Sequence, residues 1–202
     1  MKGTLIVIEG TDGSGKSTQF ARLCQRAEQE GHPFRRLVFP QYQEESSALI
    51  RMYLQGEFGK KPGDVNAYAA SAFYAVDRYA SWKKVWQEHY ENGGLVLADR
   101  YTTSNAVHQA SKLDSAEREE YFRWLSDFEY SRLGLPEPDL VLYLDLPTEK
   151  AVEMLRQREE ATRRGISTKP IPPTWRHAGL PPWKRRKSMA GKRSPAWTPT
   201  GI

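Results

Sequence analysis

Between Gly10 and Thr18 the chain reads Gly10-Thr11-Asp12-Gly13-Ser14-Gly15-Lys16-Ser17-Thr18. Glycines at this spacing let backbone N–H groups turn inward around phosphate oxygens. Lys16 can reach the β- and γ-phosphates of a nucleotide, and the Ser17 hydroxyl can ligate Mg²⁺. Other residues could extend that chemistry. Asp99 closes the apolar run Leu95-Val96-Leu97-Ala98 and is followed by Arg100 and Tyr101. A carboxylate placed there can hold Mg²⁺ or its waters beside Ser17. Arg78 and Arg100 offer planar forks suited to a second phosphate. Each has a blander alternative: a ligand-free glycine turn for the loop, a helix N-cap for Asp99, a surface salt bridge for either arginine.

These groups need rigid elements to hold them. Leu5-Ile6-Val7-Ile8-Glu9 reads as a strand running straight into the glycine loop. The helix that starts near Gly15 adds its positive dipole end to a bound phosphate. Phe20, Leu23, Cys24 and Ala27 fall at helical spacing over 16–30, and Gly31 stops the helix. Residues 34–39 read as a second strand ending at Pro40, followed by a helix over 47–54. The aromatic- and Ala-rich stretch 65–90 predicts a long, largely buried helix closed by Asn92-Gly93-Gly94. The continuous apolar run 95–99 suits a strand buried on both faces of a parallel sheet. Residues 115–132 read as helical, 139–145 as another buried strand, and Pro147 opens a helix to about residue 160. Strands alternating with helices predict an α/β fold: a doubly wound parallel sheet flanked by helices, of the P-loop NTPase type.

A chain of 202 residues suffices for one such domain. A lone cysteine, Cys24, forms neither an internal disulfide nor a metal site by itself, which fits a reducing, cytoplasmic setting. No stretch approaches the roughly 18 apolar residues that span a bilayer, so a soluble protein without a membrane partner is expected. The net charge of +5 is unevenly placed. Residues 161–202 hold ten Lys and Arg and no Asp or Glu, which leaves residues 1–160 at −5. The folded part is therefore not expected to bind nucleic acid, although a basic tail can attract polyanions.

The organisation breaks after Ala161. Residues 161–202 contain seven of the 13 prolines and three of the six tryptophans, without apolar periodicity. Composition predicts a disordered basic tail from 161 to 202 beside a domain over 1–160. A sharper hypothesis is a shifted reading frame. With free choice of synonymous codons, residues 165–178 can be encoded so that reading from the third base yields DIHEADTAYLAAC, an amphipathic helix with an acidic start. An intact frame with other codons at the gene would end that idea.

A phosphate loop alone does not separate kinases from GTPases, ATPases or sulfotransferases. The loop with Asp12 inside it, Phe39-Pro40, the run Phe73-Tyr74-Ala75-Val76-Asp77-Arg78, and Asp99-Arg100-Tyr101-Thr102-Thr103-Ser104-Asn105, in this order, resemble the thymidylate kinases. Those enzymes make dTDP from dTMP and ATP, and the resemblance covers about residues 1–160. It implies that Gly10, Thr11, Asp12, Gly13, Ser14, Gly15, Lys16, Ser17 and Thr18 bind ATP, with Ser17 and Asp99 on Mg²⁺. Asp12 would accept the 3′-hydroxyl of dTMP, and Arg100 would bind its phosphate. Arg78 would hydrogen-bond the thymine edge, and Asn105 would read or cover the base. Tyr74 would stack on the ring where family members usually place Phe, with Phe73 as the fallback. His108 stands where an aromatic is often found, and contact or a solvated helix position are equal expectations for it.

Arg156, Arg158 and also Arg163 would close over the transferred group, with a solvated helix face as the alternative. A homodimer is the expected assembly. The family continues with an acidic helix, a final strand and an adenine-binding loop, which this tail does not show. The last strand is therefore expected to be missing or altered. The runner-up functions are another nucleotide or deoxynucleoside kinase and an inactive nucleotide-binding relic.

Overall fold

The computed structural model describes residues 2–61 and 63–163. Four strands, β1 (Thr4–Gly10), β2 (Phe34–Val38), β3 (Leu95–Asp99) and β4 (Leu140–Leu144), form one sheet in the order β2-β3-β1-β4. Every pairing is parallel. Ile8 of β1 lies opposite Asp99 of β3, and Val38 of β2 flanks Asp99 on the other side. Parallel strands need crossovers, so helices cover both faces.

Alternation along β1 and β3 decides which side chains meet which layer. Ile8 and Leu97 face α1 (Lys16–Gln29) and pack on its Phe20, Cys24 and Ala27. Leu5, Val7, Val96 and Ala98 face the opposite layer, where Trp82, Trp86, Tyr90 and Tyr101 fill the core. That layer is the long helical stretch expected over 65–90, and it is not uniform. Helix α3 (Ala67–Ser81) passes into a π-helical turn, Trp82–Trp86, before α4 (Gln87–Glu91). The wider turn changes helical phase, and Trp82, Trp86 and Tyr90 all end up inside with edge-to-face ring contacts. Asn66 caps α3, its side-chain carbonyl accepting from Ala69 N at 2.8 Å.

A short helix α2 (Ala48–Gln55) packs on α3. After β3 come α5 (Thr102–His108) and α6 (Arg118–Ser126), and α6 runs into a second π-helical turn, Asp127–Arg132. Ala67 of α3, Ala106 of α5 and Tyr121, Phe122 and Leu125 of α6 close a satellite core. Helix α7 (Thr148–Arg163) follows β4. The tail beyond residue 163, its proposed reading frame and the final strand lie outside the described residues. No helix among the described residues is long and apolar enough to cross a membrane.

Candidate active site

The carboxyl ends of β1 and β3 lie side by side, Ile8 opposite Asp99, at the end of an open parallel sheet where a ligand crevice usually forms. Gly13 and Gly15 adopt left-handed φ of 83° and 78°, so the loop from β1 to α1 needs residues without Cβ there. At Gly13 a Cβ would also lie 2.5 Å from the Ala151 carbonyl oxygen and 3.0 Å from Leu155 Cγ. Helix α7 thus rests directly on the loop.

Lys16 opens α1 with its side chain buried, its Nζ 3.7 Å from Asp99 Oδ1. Burial, then the charge of Arg100, lowers the Lys16 pKa, with Asp99, Glu9 and Asp12 opposing. Burial likewise raises that of Asp99, opposed by Lys16 and Arg100. Both charged forms are under-solvated, the condition of groups that gain from a phosphate on one side and a cation on the other. Asp99 Oδ1 is buried without a hydrogen bond, and so is Ser14 Oγ. Ser17 and Thr18, in the first turn of α1, are exposed. Among the described residues no group of three or more His, Cys, Asp or Glu could hold a metal alone. A hard cation here would use Asp99, Ser17, water and nucleotide oxygens, the habit of Mg²⁺ rather than of a closed protein cage.

Arg100 has a φ of 69°, the one left-handed non-glycine among the described residues. Its Nη2 donates to Asp12 Oδ1 at 2.7 Å, and its Nη1 lies 3.0 Å from His108 Nε2 and 3.7 Å from Glu9 Oε1. Burial works against its charge, but Glu9, Asp12 and Asp99 outweigh it and raise the pKa. Asp12 and Arg100, 88 residues apart, are thereby joined across the mouth of the crevice. His108 is half-buried beside them, held by Arg100 rather than turned out to solvent. Burial and the Arg100 charge push its imidazole down to about 4.

Glu9 was not singled out by the motif, yet it is fully buried at the end of β1. Its Oε2 accepts from Thr103 Oγ1 at 3.0 Å and Ser104 Oγ at 2.7 Å, tying α5 to the phosphate loop. A carboxylate inside an otherwise apolar strand was the signal.

The second half of the site lies between α3 and α5. Arg78 is buried and makes a two-pronged ion pair with Glu129, Nε to Oε2 at 2.6 Å and Nη2 to Oε1 at 2.5 Å. The Nδ2 of Asn105 donates to Glu129 Oε1 at 3.2 Å and to the Ser71 carbonyl at 3.1 Å. Tyr74, one turn before Arg78, is half-buried; burial pushes its phenol well above the ordinary value, opposed by the nearby charges of Arg100 and Arg78. Phe73 turns elsewhere: its ring packs on Tyr53 and Phe58 at 6.3 and 5.6 Å between centroids. Tyr42 also feels Arg100 and Asp12, and its loop is pinned by Asp77, which accepts from Gln41 N at 2.9 Å and Ser46 Oγ at 2.7 Å. Neither Glu129 nor Tyr42 carries a sequence signal of its own. Arg156 is exposed on α7; Arg158 and Arg163 fall within that helix, and their side chains lie outside the described residues.

The family model for thymidylate kinase matches residues 8–169. The chain is a member of the thymidylate kinase family. A thymidylate kinase of Mycobacterium tuberculosis is 34% identical over 157 residues, 77% of this chain and 72% of that protein. The human thymidylate kinase is 32% identical over 147 residues, 72% of this chain and 62% of its own length. An Arabidopsis thaliana thymidylate kinase is 29% identical over 184 residues, spanning 91% and 64% of the two chains. In fold, the thymidylate kinase of Candida albicans superposes with a TM-score of 0.58 at 26% identity, covering 82% of this chain and 76% of its own. Membership places the chain among the kinases of the P-loop α/β class, enzymes that use ATP and a divalent metal.

Proposed function

We propose that this chain transfers the terminal phosphoryl group of ATP to dTMP, giving dTDP and ADP, with Mg²⁺ as the metal. The observation that supports the reading best is the Asp12–Arg100 pair, which holds a guanidinium against the same loop that carries Lys16. One anion on the loop and a second on Arg100 would then meet end to end. The loop backbone from Gly10 to Thr18 and Lys16 hold the ATP phosphates. Ser17 and Asp99 hold Mg²⁺, which supplies charge neutralisation on the phosphates when bound.

Arg100 orients the dTMP phosphate for in-line attack. The attacking oxygen is already anionic, so no general base is needed, and catalysis is positioning plus charge stabilisation. Asp12 gives one oxygen to Arg100 and keeps Oδ2 for the sugar 3′-hydroxyl. Tyr74 stacks on the base while Arg78 and Asn105 face its polar edge. Arg156 and Arg158, with Arg163, close over the transferred group from α7.

Residues 1–160 act as the kinase domain, with 161–202 as an appended tail. Two copies pair through the outer face of α3, where Val76 and Tyr79 are 47% and 39% exposed. Cytoplasmic residence is part of the same reading.

ADP release measured against dTMP, dUMP, dCMP, dGMP and thymidine tests it. The expected order puts dTMP first; a preference for thymidine over dTMP defeats the phosphate role of Arg100. Stabilisation by ATP without any ADP formation would support the inactive alternative.

A further inference from the structure

Glu129 is fully buried in the π-helical turn after α6, and four hydrogen bonds converge on its carboxylate. Arg78 supplies two, Thr102 Oγ1 a third at 2.8 Å, and Asn105 Nδ2 the fourth. Opposite a guanidinium this carboxylate is an acceptor only. So is the Ser71 carbonyl, the other neighbour of the Asn105 amide. Two acceptors on the same end of that amide dictate that its NH₂ points to them, and its Oδ1 is turned to the other side. Arg78 is similarly constrained. Its fork binds Glu129 through Nε and one Nη2 hydrogen, which leaves Nη1 as the nitrogen wholly uncommitted to Glu129. Neither Arg78 Nη1 nor Asn105 Oδ1 has a hydrogen-bond partner among the described residues.

We infer that Glu129 is a positioning residue that fixes the polarity of the base pocket as one donor beside one acceptor, and thereby sets selection of thymine over cytosine. The inference rests on the reading that the base lies against Arg78 and Asn105. Thymine presents O4 as acceptor and N3–H as donor, matching Arg78 Nη1 and Asn105 Oδ1 in that order. Cytosine presents an N4 amino donor and an N3 acceptor, the reverse at both positions. A flipped Asn105 amide would correct one mismatch, and Glu129 forbids the flip. Guanine offers the thymine order at O6 and N1–H, so rejection of purines falls to pocket size, and dTMP against dCMP is the informative comparison.

Wild type should favour dTMP over dCMP by at least about 10³ in kcat/KM, since a site built on buried polar groups rejects an analogue that leaves them unpaired. N3-methyl-dTMP should bind at least about thirtyfold more weakly than dTMP. If dTMP is not phosphorylated, or the N3-methyl analogue binds as well, the underlying base reading fails.

Glu129 itself is tested by two variants with melting temperatures recorded. Glu129→Gln can present an amide donor to Asn105, so the dTMP to dCMP ratio should fall at least about tenfold, with the dTMP KM raised and the ATP KM within about twofold of wild type. Glu129→Asp keeps an acceptor-only group and the charge opposite Arg78. It should preserve the ratio within about threefold while raising the dTMP KM, and it carries the test if the Gln variant does not fold. A wild-type ratio in Glu129→Gln overturns the inference. So does a Glu129→Asp variant that loses selectivity, or one in which the ATP and dTMP parameters change alike.

Discussion

Replacing Arg100 separates what its side chain does from what its backbone costs. At a φ of 69° a residue with a Cβ is strained, by roughly 1–2 kcal/mol relative to glycine. Arg100→Ala and Arg100→Gly both delete the guanidinium, with its 2.7 Å bond to Asp12 and its field on Glu9 and Asp99. They differ only in the Cβ and the freedom of the unfolded chain, and the latter works against glycine by a few tenths to about 1 kcal/mol. The Gly variant should therefore be more stable than the Ala variant in urea titrations, by up to about 1.5 kcal/mol. Catalysis should not follow this order. Loss of an oriented, charge-assisted phosphate clamp costs about 3–4 kcal/mol in the transition state, so kcat/KM for dTMP should drop 10²- to 10³-fold in both. Coupled ADP-release kinetics and denaturation on the same preparations give the two numbers. An Ala variant clearly more stable than the Gly variant would refute the strain. Activity within tenfold of wild type in either would refute the phosphate role.

Three further outcomes follow from neighbouring residues. Tyr74→Ala should raise the dTMP KM about tenfold or more with little loss of stability, whereas Phe73→Ala should cost about 1–3 kcal/mol through its Tyr53 and Phe58 contacts and leave the KM near wild type; steady-state kinetics with thermal melts decide. Lys16→Met should lower kcat by at least about 10²-fold while the protein gains or keeps stability, because a desolvated ammonium is removed, and single-turnover assays separate this from weaker ATP binding. The folded pKa of His108, about 4, lies below its unfolded value near 6.5. Its contribution to stability is therefore whole above about pH 6.5, declines as pH falls, and is gone below about 4, up to roughly 3 kcal/mol in all. Arg100 and Lys16 oppose its protonation, while Glu9 and Asp12 favour it. Wild type should lose more melting temperature than His108→Gln between pH 6.5 and 4, and parallel curves would refute this.

The phosphate loop, the four parallel strands and the helix that carries Tyr74 and Arg78 are legible in the chain because their causes are local: glycine spacing, apolar runs and helical periodicity. The π-helical turns at 82–86 and 127–132 are not, since they arise where Trp82, Trp86 and Tyr90 compete for one core and where Glu129 must reach Arg78. That ion pair joins positions 51 residues apart, and no spacing rule links them. Phe73 and Tyr74 are chemically similar neighbours, and only the orientation of α3 against α2 decides which ring faces Arg100. The family resemblance implies a base-edge role for Arg78, but no local pattern in the chain shows that two of its three nitrogens bind Glu129. Glu9 stands out as a charge in an apolar strand, but the phosphate-loop motif begins one residue later and assigns it no role.

Asp77 and Arg78 are consecutive, and they are bolted to different parts of the molecule, one to the loop bearing Tyr42 and the other to the turn bearing Glu129. Inserting or deleting a single residue between Asn66 and Asp77 would swing both anchors by about 100° at once. The spacing from the Asn66 cap to both anchors is therefore fixed, and α3 serves as a ruler against which the rest of the site is measured.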